Sequence, residues 1–558
     1  MFSREATWVV FVGFALSGLF NLPLVLHPKS MIANDLGDPL LQTWEMAWHR
    51  NLFATGDFWT ANIFFPSTDN FAFTDSLLGY LPLALIGGDG QYDAVFRYNI
   101  AYVTAFALAF VGAYLLVKQL GGNWQAATVA GVVFAWAPWR LTHGSHLNIL
   151  STGGIALALY ALAKGHGYSL RHGLKDEPKP WWILAGWLIA AWQITIGFAT
   201  GIPFAYLMGV VGIAIVVTII KRWRQVTAKL IVFNGVGVAI FLLVTLAMLI
   251  PYFRVVEQYG FTREWKEVQV FSPPLRGLWT AHYDTWLWLE TGFNRLDLLP
   301  QDGVAEMMLF PGLAVTILAI TGLFVSSWPV RTRIWLGVAT LVMTILCLGA
   351  SVLDGAYTYR PLWEHLPGFD AIRTPGRLVL WVILLLVVLA AGAVTRFGEL
   401  MVDRTQVSLR LIPMFLFVPV LAVLLEGIPA RTYVSPLGIP PDLQQVFAQG
   451  RDPMLILPID EFTEYKYLLW STDGFPKIAN GTSGNYPQAY NDILAETQFF
   501  PDESSVAVLR KYGIRTVVLM KVDALKSPYA AALIHPLNGL PITKQELNDV
   551  VVFTIAAE

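Results

Sequence analysis

The chain has 558 residues, of which 55% are hydrophobic and only 14% charged, with a net charge of -2 and a mean hydropathy of +0.55. Soluble domains average roughly 45–50% apolar and about 25% charged residues, so composition excludes an ordinary soluble protein and predicts a polytopic membrane protein. A nucleic-acid partner would need a basic face, which this balance does not provide, and the single cysteine, Cys347, excludes an intrachain disulfide and a cysteine-based metal site.

The first apolar run, Thr7 to Leu26, is too long for a secretory core segment and lacks a small-residue cleavage site, so it reads as a retained first helix. A membrane span needs about 20 mostly apolar residues. That rule predicts about eleven spans, near 7–26, 98–118, 125–139, 147–163, 181–198, 201–220, 229–251, 306–327, 333–350, 377–396 and 408–427. The short apolar stretch Asp75 to Gly87 reads as a re-entrant or interfacial helix. Basic residues cluster around Lys118, Lys164 to Lys179, Lys221 to Lys229, Arg331 to Arg333 and Arg396 to Arg410. Positively charged loops favour the cytoplasm, so these segments predict a cytoplasmic N-terminus and an extracytoplasmic C-terminus in the plasma membrane. The intervening long loops, 27–97 and 252–305, then lie outside.

From 428 onward the chain turns polar, with proline and glycine punctuation. Met454 to Leu457, Thr516 to Met520 and Val550 to Thr554 read as strands; Ser504 to Tyr512 and Lys544 to Asp549 read as short helices. The expected organisation is an all-α membrane domain over 1–427 followed by a small α/β extracytoplasmic domain over 428–558.

The first outside loop carries the densest chemistry. It opens Asn34-Asp35-Leu36-Gly37-Asp38-Pro39 and continues into an amphipathic stretch, Leu40 to Phe53, with Gln42, Trp44, Glu45, Trp48 and His49. Asn62-Ile63-Phe64-Phe65-Pro66 and Phe73-Thr74-Asp75 follow. A carboxylate at the membrane surface can take the proton of an acceptor hydroxyl. By spacing alone, Asp35 and Asp38 read first as solvated turn residues, since Asp, Gly and Pro favour turns.

These motifs, with the order first helix, long acidic loop, many spans and soluble tail, resemble the GT-C class of membrane glycosyltransferases, and within it a large bacterial family. Further matches are Trp139-Arg140 with His143 and His146, and Pro367-Gly368-Phe369 followed by Arg373-Thr374-Pro375-Gly376-Arg377. The resemblance implies a polyprenyl-phosphate sugar donor, a glycan, lipid, cell-envelope polymer or protein acceptor, and an essential Asp in the first loop, here Asp38 first and Asp35 second.

A phosphate-bearing donor needs cations. Arg373, Arg377 and Arg254 are candidates because the guanidinium fork donates two hydrogen bonds; an interfacial snorkelling role is the alternative for the first two. His143 and His146 could contact a pyrophosphate or share a metal with a loop carboxylate, although two histidines make a weak metal signal. A divalent Mg or Mn ion would favour Asp35 and Asp38. His282 and Asp284 have no partner legible in the sequence. In the tail, Trp470 to Phe475 and Asn480 to Tyr486 mix aromatics with Asn, Gly and Asp, as sugar-contacting loops do; Asn480-Gly481-Thr482 reads as a turn rather than a glycosylation acceptor. No nucleotide phosphate loop or serine-hydrolase elbow is present. The predicted spans hold few ionisable residues, which counts against an ion-coupled transporter. A lipid or polysaccharide flippase is the alternative reading.

Overall fold

The computed structural model of the protein describes residues 4–53, 56–174, 177–404, 412–537 and 539–556. Parts of two expected basic loops, 175–176 and 405–410, and the start of the last expected span lie outside the described residues.

Helices form at all eleven expected positions, because a long apolar run with its backbone fully hydrogen-bonded needs no partner to be helical in lipid. Among the described residues, six are long and apolar enough to cross a membrane: Gln91–Leu120, Leu147–Gly165, Phe198–Lys221, Ala228–Tyr259, Val330–Cys347 and Pro375–Val402. Leu313–Phe324 and Met414–Glu426 are shorter apolar helices. Burial sorts these segments. In an apolar 18-residue stretch of Pro375–Val402, 94% of the residues are buried, whereas in those of Phe198–Lys221 and Val330–Cys347, also apolar, only 11% and 6% are. Apolar helices left open by the protein must be covered by lipid, so the protein is a multi-pass membrane protein. Asp75 to Gly87 is not a regular helix; Leu78–Leu85 is a 3-10 segment containing Pro82.

The chain divides into two compact units. One comprises Met1–Leu22, Tyr102–Ala247 and Thr262–Thr432; the other comprises Pro23–Ala101, Met248–Phe261 and Tyr433–Glu558. In the first, glycines set the helix spacing. A Cβ at Gly153 would lie 2.5 Å from the Leu108 carbonyl carbon, and one at Gly112 would lie 2.8 Å from the Gly153 oxygen. Of the polar residues inside its spans, Asn234 meets Trp187 and His166, and Gln193 donates to the Ser151 carbonyl.

The second unit joins the first outside loop to the tail. Ile32–Ala33 pairs antiparallel with Tyr433–Val434. The tail builds a four-stranded sheet in the order Met454–Leu457, Thr516–Met520, Val550–Ile555, Ile542–Glu546. The first pair is parallel and the others antiparallel. Glu503–Lys511 is helical, capped by Asp502, whose side chain accepts from the Ser505 amide. Lys544 to Asp549 departs from the expected helix: Ile542–Glu546 is an edge strand. Its helix-forming Lys, Gln and Glu are outweighed by the tight turn through Asn548 and by pairing with Val550–Ile555. One core of this unit draws Leu41, Trp44, Trp48 and Phe71 from the loop and Val446, Ile456, Tyr467, Trp470 and Ile478 from the tail. The tail therefore packs with the loop segments in one compact unit.

Candidate functional site

The amphipathic stretch of the first loop is a helix, Asp38–Trp48, with Pro39 in its first turn, where the missing amide proton costs nothing. Its apolar face carries Trp44 and Trp48, stacked with ring centroids 6.5 Å apart. The Trp44 indole donates to the Asn62 side-chain oxygen (3.0 Å), and Asn62 donates to Ser471 (3.1 Å) and the Pro476 carbonyl (3.0 Å). The Phe64 and Phe65 amides donate to the carbonyls of Asn480 and Ile478. Asn62 to Pro66 is thus a strap that fastens the loop to the tail.

The two loop aspartates differ. Asp35 is exposed and accepts from the Gly37 amide at 2.8 Å, a turn-making contact. Asp38 is half-buried in the first helical turn, where ionised carboxylates are stabilised. Its Oδ1 accepts from the Tyr465 phenol at 3.2 Å. Seven residues on, and so on the same helix face, Glu45 is fully buried, with one oxygen lacking a hydrogen-bond partner among the described residues. Burial first, then the neighbouring Asp75, raises its carboxyl well above the usual range, and Asp38 adds to the rise. Burial likewise lowers His49 to about 4, and its Nε2 donates to the Ser76 carbonyl. Arg254, in the same unit, is paired with Asp69 at 2.8 Å.

Tail residues complete these surroundings. Glu464 is buried and accepts from the Asn480 amide (3.0 Å), the Gly481 backbone (2.7 Å) and the Tyr490 hydroxyl (3.2 Å). Burial pushes its carboxyl up to about 8. Asn480 also straps Ile456, so this triplet is an internal brace rather than the expected turn. Trp470 is buried, with its indole donating to the Leu437 carbonyl, and is not presented as a sugar-stacking surface. An apolar cavity of about 270 Å³ lies between Leu36 and Leu40 of the loop and Phe462, Lys466 and Leu469 of the tail.

The remaining candidates belong to the first unit. Arg377 meets Glu306 through Nη2 at 2.6 Å and Nε at 3.0 Å. Arg373 instead reaches Glu267 at 3.5 Å and lies over the Phe271 ring. The two arginines therefore engage different carboxylates; Arg373 precedes the 3-10 turn Pro375–Leu378 and Arg377 lies within it, ahead of the helix that starts at Val379. Glu306 precedes the apolar helix Leu313–Phe324. Burial alone would raise its carboxyl, but Arg377, then His143, hold it at about 2. His143 and His146 have adjacent rings, 5.5 Å apart, although a turn after Thr142 brings them together rather than a common helix face. His143 is fully buried, neither ring nitrogen has a hydrogen-bond partner among the described residues, and burial lowers it to about 3. Arg140 is structural, donating to Thr152 and the Leu150 carbonyl. His282 and Asp284 face each other at 3.6 Å. Among the described residues, no three His, Cys, Asp or Glu side chains converge as a metal site.

Sequence reasoning names Glu45 only as part of the amphipathic stretch, and does not single out Tyr465, Glu464 or Glu306. Glu45 had a legible signal, its seven-residue spacing from Asp38; the others depend on contacts distant in sequence.

Three solved structures are similar to this chain. The chain aligns over its full length with the arabinofuranosyltransferase AftD from Mycobacteria, at 16% identity and a TM-score of 0.51, and covers 42% of that protein, less than half its length. ArnT from Cupriavidus metallidurans aligns over 99% of this chain and 98% of its own, at 14% identity and a TM-score of 0.43. The oligosaccharyltransferase AglB of Archaeoglobus fulgidus, in complex with an inhibitory peptide and a dolichol-phosphate, aligns over 95% of this chain and 71% of its own, at 13% identity and a TM-score of 0.44. The likeness to AftD shows a GT-C-like fold. Among curated proteins, none matches the chain in sequence. The sequence family described as a domain of unknown function, DUF6311, matches residues 40–417. That is well over half of the chain, which therefore belongs to the DUF6311 family.

Proposed function

We propose that this protein is a membrane glycosyltransferase that moves a sugar from a polyprenyl-phosphate donor to a glycan, lipid, cell-envelope polymer or protein acceptor. The observation that carries the reading is Asp38, a half-buried carboxylate in the first turn of the loop helix with a phenol on Oδ1, in a chain with a GT-C-like fold. Asp38 is the general base that takes the acceptor proton, and Asp35 shapes the turn that presents it. Arg373, Arg377 and Arg254, with His143 and His146, are the donor-phosphate candidates. Charge develops on the departing lipid phosphate as the glycosidic bond breaks, and fixed cations stabilise it. Each arginine is paired with a carboxylate, so a bound phosphate competes with Asp69, Glu267 or Glu306. In this reading eleven spans hold the N-terminus in the cytoplasm and the tail outside.

The test is sugar transfer by the purified full chain in nanodiscs, with a panel of polyprenyl-phosphate sugars and a membrane lipid extract. Asp38→Asn is expected to lose transfer by about a hundredfold or more while still binding donor, and Asp35→Asn to keep most of it. An Asp38→Asn variant that transfers like the wild type would remove Asp38 as base. Movement of lipid without transfer would favour a flippase.

A further inference from the structure

We infer that Tyr465 is a positioning residue for Asp38, supplied by the C-terminal segment and held in register by its neighbour Glu464. The inference rests on the reading of Asp38 as the base. Consecutive residues on the helix Glu461–Ser471 point about 100° apart. Glu464 faces inward, fully buried, while the half-buried Tyr465 reaches the loop. The Tyr465 hydroxyl donates to Asp38 Oδ1 at 3.2 Å. Its ring lies against Gly37, where a Cβ would come within 3.9 Å of the ring edge.

Glu464 fixes the turn that carries the phenol: it accepts from the Asn480 side chain and the Gly481 amide, and Tyr490 closes the bracket. One helix turn therefore provides both the phenol and the carboxyl that anchors it. A hydrogen bond donated to a carboxylate favours its ionised form, which a base requires, and restricts its rotamer.

The experiment compares wild type, Tyr465→Phe and Asp38→Asn as full chains in nanodiscs. Two readouts are taken across pH: sugar-transfer kinetics, and carbodiimide labelling of Asp38 followed by mass spectrometry, which tags the protonated carboxyl. Tyr465→Phe is expected to lower kcat about tenfold or more, as loss of a hydrogen bond to a charged group does, with KM for donor and acceptor within about twofold. The acid limb of its kcat profile and the midpoint of Asp38 labelling both move to higher pH. A Tyr465→Phe variant with wild-type kcat and labelling midpoint overturns the inference, as does a loss of activity with no shift in labelling. If labelling shifts but Asp38→Asn transfers normally, the reading of Asp38 as base fails while the Tyr465 contact stands.

Discussion

The pair Arg377–Glu306 puts a nearly buried carboxylate in a two-point contact with a guanidinium; their side chains are 18% and 8% exposed. Such a pair adds little over an apolar contact, but breaking it leaves a charge stranded. Because the Glu306 carboxyl falls from about 4.5 to about 2 on folding, its contribution is present above pH 4.5 and fades as the pH drops towards 2. Glu306→Gln is expected to cost about 3 kcal/mol at neutral pH and to flatten that acid limb. The check is the thermal midpoint of the full chain against pH; a Glu306→Gln profile parallel to the wild type would contradict it. Arg373, held only at 3.5 Å from Glu267 and partly exposed, contributes less.

At the scale of elements, close helix packing in the first unit depends on missing side chains. Gly153 sits where a Cβ would meet the backbone of Leu108 at 2.5 Å, a distance that only a helix shift relieves. Gly209, on the open helix Phe198–Lys221, has nothing within 4 Å of its Cβ position. Gly153→Ala is therefore expected to destabilise by about 1–3 kcal/mol. Gly209→Ala is expected to be neutral or slightly stabilising, since alanine favours helix over glycine. Equal thermal midpoints for the two variants would mean that these glycines do not set the spacing. Small residues matter here because helices in lipid gain from close packing rather than from leaving water.

For the second unit as a whole, loop and tail share one core, and the tail buries the acid Glu464. Glu464 is raised from about 4.5 to about 8 by burial. The folded form holds a proton that the unfolded chain releases, so stability is greatest below pH 4.5 and declines as pH rises through 8. The loss amounts to a few kcal/mol at alkaline pH, on the scale of about 1.4 kcal/mol per pH unit. Glu464→Gln, which carries no ionisable group, is expected to remove that decline. Unfolding of the full chain followed by tryptophan fluorescence tests it; an unchanged slope between pH 4.5 and 8 would assign the decline elsewhere.

The sequence by itself determined the helices and the nature of the first loop. A run of about 20 apolar residues dictates a lipid-compatible helix whatever surrounds it, and Gly37-Asp38-Pro39 announces a turn into a helix by local sterics alone. The motifs quoted for the GT-C resemblance likewise lie in short contiguous stretches. Tertiary structure decided what each charged group does. Tyr465 meets Asp38 across 427 residues and Arg377 meets Glu306 across 71, and no periodicity records such distances. Lys544 to Glu546 is a strand because Val550–Ile555 offers it an edge, against its own helical leaning. Whether a carboxyl is a solvated turn, a brace or a base depends on burial and on the donors around it, and only the folded chain brings those together.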